Sequence, residues 1–164
     1  MTHQQAVEHI QYCDSYTRLP TLLDIAPRMD ASDWLKLLGE NWTGCDNIGR
    51  HIDGLHKSPL AHNDKTAFEM MDDEEQAAFN NLPDCLTVYR GCYPLNKWGY
   101  SWTPSETIAK SFPFLNRYRQ QGLPILVKAL VKKENIKAIK LDREELEVIT
   151  WKPKHLSTKR IKQL

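Results

Sequence analysis

The chain has 164 residues, with 22 basic and 21 acidic side chains and a formal charge of +1. That length suits one domain with a real core, and 41% hydrophobic against 26% charged residues excludes a disordered or fibrous chain. A net charge near zero supplies no global field for nucleic acid or membrane, and no apolar run approaches the ~18 residues of a membrane span.

The amino terminus lacks the basic-then-apolar pattern of a secretory signal, so a cytoplasmic location is the expectation. Cys13, Cys45, Cys85 and Cys92 form no Cys-x-x-Cys pair and are expected to stay free thiols. Cys45, His51 and His56 match no common zinc spacing, and no metal is expected.

The first eighty residues read mostly as helix. Thr2 precedes Ala6, Ile10 and Cys13 in approximate helical register. Pro20 and Pro27 bracket a segment that is either one helical turn or an ordered loop. A better helix begins near Asp30 or Ser32, carries Trp34, Leu35, Leu37 and Leu38, and is terminated by Gly39. Cys45, Ile48, Ile52 and Leu55 make one face of another short helix. A loop over 56–65 follows, then a helix over 66–79 that Asn80, Asn81 and Pro83 end.

After Pro83 strand composition takes over. Leu86 to Tyr89 predicts a strand leading into Arg90 and Gly91, and Pro94 with Asn96 a loop. Tyr100 and Trp102 flank Ser101 at period two, as on a strand. Thr103 and Glu106 read as a capping box, with Pro104 at the first helical position and Ile108, Ala109 and Phe112 on the apolar face. The run 124–131 is the best candidate for a central strand. Residues 135–141 alternate apolar side chains with lysines, as on an edge or half-buried strand, and 144–151 is another short strand.

Helices first and strands later make an α+β pattern. We read a single domain over 1–164, with a helical part at 1–81, a core at 82–151 and a basic tail at 152–164. The tail carries Lys152, Lys154, Lys159, Arg160 and Lys162 without an acid. It either contributes to target docking or is a solvated final helix or frayed end.

Chemistry is sought in polar residues on the strands. Glu145 and Glu147, two apart, are expected to project from one face of a strand and repel one another, in a working site or on an exposed sheet face. Arg90, ending a strand before Gly91, is either a clamp for phosphate oxygens or an ordinary ion pair. Ser101 and Thr103 lie at a strand end, facing a cleft or closing a turn.

In order, Val-Tyr-Arg-Gly at 88–91, Gly-Tyr-Ser-Trp-Thr at 99–103 with Ala109 and Phe112 behind it, and Arg-Glu-Glu-Leu-Glu-Val-Ile at 143–149 resemble the three-part signature of the arginine-serine-glutamate class of ADP-ribosyltransferases. The resemblance covers roughly Leu82 to Trp151. It implies a split, strongly bent, mostly antiparallel pair of sheets with NAD as co-substrate between them and no metal.

By that resemblance Arg90 holds the NAD phosphates, and the backbone of Gly91 lies near the nicotinamide amide. Ser101 supports the nicotinamide ribose and orients the glutamate, with Thr103 at the third position of the motif. Glu147 is the catalytic glutamate, and Glu145 positions or deprotonates the acceptor, a role associated in this family with transfer to arginine. Trp102, Tyr100 or Phe112 packs near the nicotinamide, although Trp102 stands where the family usually has a small hydroxyl residue.

The implied activity is mono-ADP-ribosylation of a target protein, at an arginine, by a small bacterial or phage effector acting on host or defence proteins. Nucleic acid is the secondary acceptor class. The same residues would serve an NAD glycohydrolase with water as acceptor, and a transferase fold that has lost turnover would be a binding module.

Overall fold

The computed structural model describes residues 1–142 and 145–162. It has an α+β architecture, α-helices followed by two small antiparallel sheets. The chain divides into two compact units, Met1–Gln76 and Ala77–Leu164.

In the first unit, α1 (His3–Ile10) starts at Thr2, whose hydroxyl accepts from the Gln5 amide while the Gln5 side chain accepts from the Thr2 amide. The proline-bracketed segment is a full helix, α2 (Arg18–Ile25). Pro20 lies in its first turn, where a missing N–H breaks no intrahelical bond. Leu19, Leu22 and Ile25 are fully buried there, and the Trp34 indole donates to the Leu22 carbonyl at 2.7 Å.

Helix α3 (Ala31–Asn41) begins at its Asp30 cap as expected, but Gly39 does not end it. A Cβ at Gly39 would overlap the Met70 backbone, so this glycine lets the turn at Phe68–Met70 approach the helix. The helix expected around Cys45 to Leu55 is a 3-10 turn at Ile48–His51 followed by α4 (Ile52–Lys57). That expected over 66–79 shortens to α5 (Asp73–Asn80). Asp72 accepts from the Glu75 amide at 2.8 Å and Glu75 from the Asp72 amide at 3.1 Å, which places the acidic run at the positive end of the helix.

The second unit contains β1 (Cys85–Cys92), β2 (Ser101–Trp102), α6 (Glu106–Ser111), β3 (Ile125–Lys132), β4 (Ala138–Lys140), β5 (Glu147–Ile149) and β6 (Lys154–Arg160). One three-stranded sheet has the order β1-β3-β6 and the other β2-β5-β4, all antiparallel. A bridge between Tyr89 and Thr103 links β1 to the end of β2. β3 is central, as its hydrophobicity predicted, with Val127, Ala129 and Val131 buried on one face.

Several expectations are corrected here. Thr103 does not cap α6: its backbone is committed to the Tyr89 bridge, so the helix starts later, with Ser105 as cap accepting from the Ile108 amide. Pro104 therefore precedes the helix, and the Thr103 hydroxyl accepts from the Ser105 amide at 3.1 Å. β4 is buried at every position, Lys140 included, rather than half-buried. Lys137 is buried too, its ammonium 4.8 Å from the Trp151 ring centroid.

The basic tail is neither helix nor frayed end, because residues 154–160 pair with β3 as an edge strand. A register shift between Lys128 and Ala129 leaves Leu156 between two rungs. The strand expected over 144–151 reduces to β5. Arg143 and Glu144 of its motif, and Gln163 and Leu164 of the tail, lie outside the described residues.

Candidate functional site

Arg90 and Gly91 lie on β1 opposite Val127 and Leu126. Directly opposite residues share a face, so Arg90 lies on the face of Val127 and, across β6, Thr158. Gly91 faces the other way, and a Cβ there would overlap the Ala109 carbonyl of α6.

The Arg90 guanidinium donates from Nη1 to the Ser101 carbonyl at 2.9 Å, and from Nε and Nη2 to the Asn96 carbonyl at 3.3 and 3.1 Å. Asn96 is presented by the 3-10 turn Pro94–Asn96, whose Asn96 side chain accepts from the Tyr93 amide. The Tyr93 hydroxyl in turn donates to the Pro113 carbonyl at 2.6 Å. Burial pulls the guanidinium below its ordinary pKa, while the neighbouring Cys92 and Glu147 favour its charge. Burial also pushes the Cys92 thiol up, against the opposing effect of Arg90.

Gly99 is a residue that sequence reasoning missed. A Cβ there would strike the Arg90 guanidinium, so glycine is what leaves the space Arg90 occupies.

In the second sheet Ser101 lies opposite Ile149 and Trp102 opposite Val148. Glu147, one pleat period from Ile149, therefore falls on the same face as Ser101. The Ser101 hydroxyl donates to Glu147 Oε2 at 2.5 Å, a length expected of O–H on a carboxylate. Thus Arg90, Ser101 and Glu147, from three strands, form one connected group.

Lys140 of β4 lies directly opposite Glu147 on that face. It is a second missed residue, because only the register between β4 and β5 sets it opposite Glu147.

The remaining candidates are placed differently. Trp102 alternates to the opposite face of β2, is 2% exposed, and donates from its indole N–H to the Gly99 carbonyl at 2.9 Å. It braces the Gly99 segment from behind. Thr103 is buried, with its hydroxyl in the turn before α6. Tyr100 packs on Trp151 with ring centroids 5.1 Å apart, and Phe112 on Tyr118 at 5.3 Å.

Glu145 precedes β5, and its amide donates to the Asp142 carbonyl. The pleat argument that aimed Glu145 and Glu147 together does not apply to a residue outside the ladder.

No family model, curated protein or solved structure matches this chain. Among the described residues no group of three or more His, Cys, Asp and Glu side chains is arranged to hold a metal, and no helix is long and apolar enough to cross a membrane.

Proposed function

We propose that the chain transfers ADP-ribose from NAD to a macromolecular acceptor. The observation that carries this reading is the 2.5 Å hydrogen bond from Ser101 to Glu147, on a serine whose carbonyl holds Arg90. In the reaction the bond from ribose C1′ to the nicotinamide nitrogen breaks, and its electron pair leaves with nicotinamide. Positive charge develops on the ribose. The Glu147 carboxylate, accepting from the 2′-hydroxyl, stabilises that charge, and Ser101 holds the carboxylate in place beforehand.

A guanidinium carries five N–H donors, of which three are given to the Ser101 and Asn96 carbonyls. The Cys92 side chain also hydrogen-bonds the guanidinium, and the N–H that remains suits a diphosphate oxygen. An acceptor nucleophile then attacks C1′ and loses its proton.

A protein arginine is the acceptor that the resemblance implies for Glu145, which stands two residues ahead of Glu147, just before β5. A small effector acting in a bacterial cytoplasm is the setting we propose for it.

The test is to incubate the chain and bacterial lysate with NAD labelled in its adenylate half, following free nicotinamide and labelled macromolecules. Label on a macromolecule is the expected result. Nicotinamide without label would replace transfer by glycohydrolysis, and no nicotinamide would overturn both. Gly99→Ala is expected to displace the guanidinium and weaken NAD binding by roughly tenfold or more, the worth of a charged hydrogen bond, with the fold intact by circular dichroism. Unchanged NAD affinity by calorimetry would show that Gly99 does not set the position of Arg90.

A further inference from the structure

The near-neutral chain is made of two oppositely charged units. Met1–Gln76 carries 14 acidic and 6 basic side chains, a formal −8, whereas Ala77–Leu164 carries 16 basic and 7 acidic, a formal +9. The absence of a net field is a cancellation. The unit that holds Ser101 and Glu147 has the charge of a domain that binds polyanions.

Part of that charge lies on one edge. β6 is an outer strand, and its Lys154, His155, Lys159 and Arg160 are exposed. By register His155 and Arg160 lie opposite Ala129 and Ile125, on the face that carries Arg90. Lys154 and Lys159 lie opposite Leu130 and Leu126, on the other face. Cations projecting on both sides of an edge strand suit a chain of phosphates better than one anion.

Beside this edge stands Trp98, 51% exposed. Its ring meets His155 edge-on at 5.6 Å and the buried Trp102 at 6.4 Å, and the Lys97 ammonium lies 5.2 Å from its centroid. An indole braced from within and half open to solvent is a stacking platform, and with neighbouring cations it has the make-up of single-strand recognition.

We propose that β6 and Trp98 bind a single-stranded nucleic acid, with phosphates on Lys154, Lys159 and Arg160 and a base stacked on Trp98. Trp98 is three residues ahead of Ser101 along the chain, with its ring packed on Trp102, which alternates to the other face of β2 from the Ser101–Glu147 pair. That this strand is the acceptor rests on the transfer reading above; that it binds does not. An acidic polypeptide would satisfy the same cations but gives Trp98 no base to stack on.

The test is fluorescence anisotropy of a labelled single-stranded oligonucleotide with the full chain. With three phosphates neutralised, affinity is expected to fall roughly 20-fold between about 50 and about 200 mM salt. Trp98→Ala is expected to weaken binding roughly tenfold with the salt slope kept. Combined Lys154→Gln, Lys159→Gln and Arg160→Gln, all at exposed positions, is expected to flatten the slope.

Failure to bind at low salt, equal affinity for heparin or polyglutamate, or a Trp98→Ala variant that binds like wild type would each overturn the proposal. Oligonucleotide binding without nicotinamide release from NAD would uphold this surface and sink the transfer reading. Nicotinamide release without oligonucleotide binding would do the reverse.

Discussion

Glu147→Gln is expected to lower the rate of nicotinamide release from NAD by about 10²- to 10³-fold, the usual cost of removing one preorganised electrostatic contact to a developing charge. The substitution keeps the shape of the side chain and an oxygen that can accept from the Ser101 hydroxyl, so β2 and β5 need not move. What is lost is the negative charge that, on the proposed reading, faces the ribose. The Ser101 bond changes from charge-assisted to neutral, a difference of about 1 kcal/mol, too little to unfold the unit. Single-turnover nicotinamide release, measured beside a thermal melt, separates the two effects. A variant that keeps both its melting temperature and its rate would remove Glu147 from the mechanism.

Gly91→Ala acts on stability instead. Its Cβ would overlap the Ala109 carbonyl and stand 2.9 Å from Pro113 Cδ. Neither neighbour is a flexible side-chain end that can swing away, so α6 would have to lift from β1. Overpacking of this kind costs about 3 kcal/mol. For a unit of this size that corresponds to a melting temperature lower by roughly 10–20 °C. Gly49→Ala is the control, because a Cβ there meets nothing within 4 Å. If calorimetry finds the two variants melting alike, α6 does not press on β1 as described.

The readability of the sequence differed by element for physical reasons. β3 was legible because a strand covered by neighbours on both edges is a continuous apolar run, and β1 because its apolar residues lead straight to Arg90. β6 was not legible. Lys-His-Leu-Ser-Thr-Lys-Arg is almost wholly exposed, so it carries no alternation, and only its ladder with β3 makes it a strand. Gly39 has the composition of a helix stop, but its reason is contact with Met70, far along the chain.

The candidate site divides the same way. Ser101 and Glu147 could be singled out from ordered motifs, and the 2.5 Å contact joins them. Lys140 and Gly99 depend on register and on where a long guanidinium ends, neither of which has a periodic signal. Glu145 shows the converse: strand parity was a sound rule applied to a residue outside the strand.

The bridge at Tyr89 and Thr103 has a mechanical consequence. Each sheet is tied internally along full ladders, whereas among the described residues this pair, with amide bonds of 2.7 and 2.9 Å, is the backbone rung between them. Arg90 follows Tyr89 directly, and Ser101 lies two residues before Thr103. A rotation of one sheet against the other about this rung as a pivot would change the gap between Arg90 and Glu147, with the Arg90 bond to the Ser101 carbonyl as the side-chain tie that resists it. A ligand gripping both residues would lock that pivot.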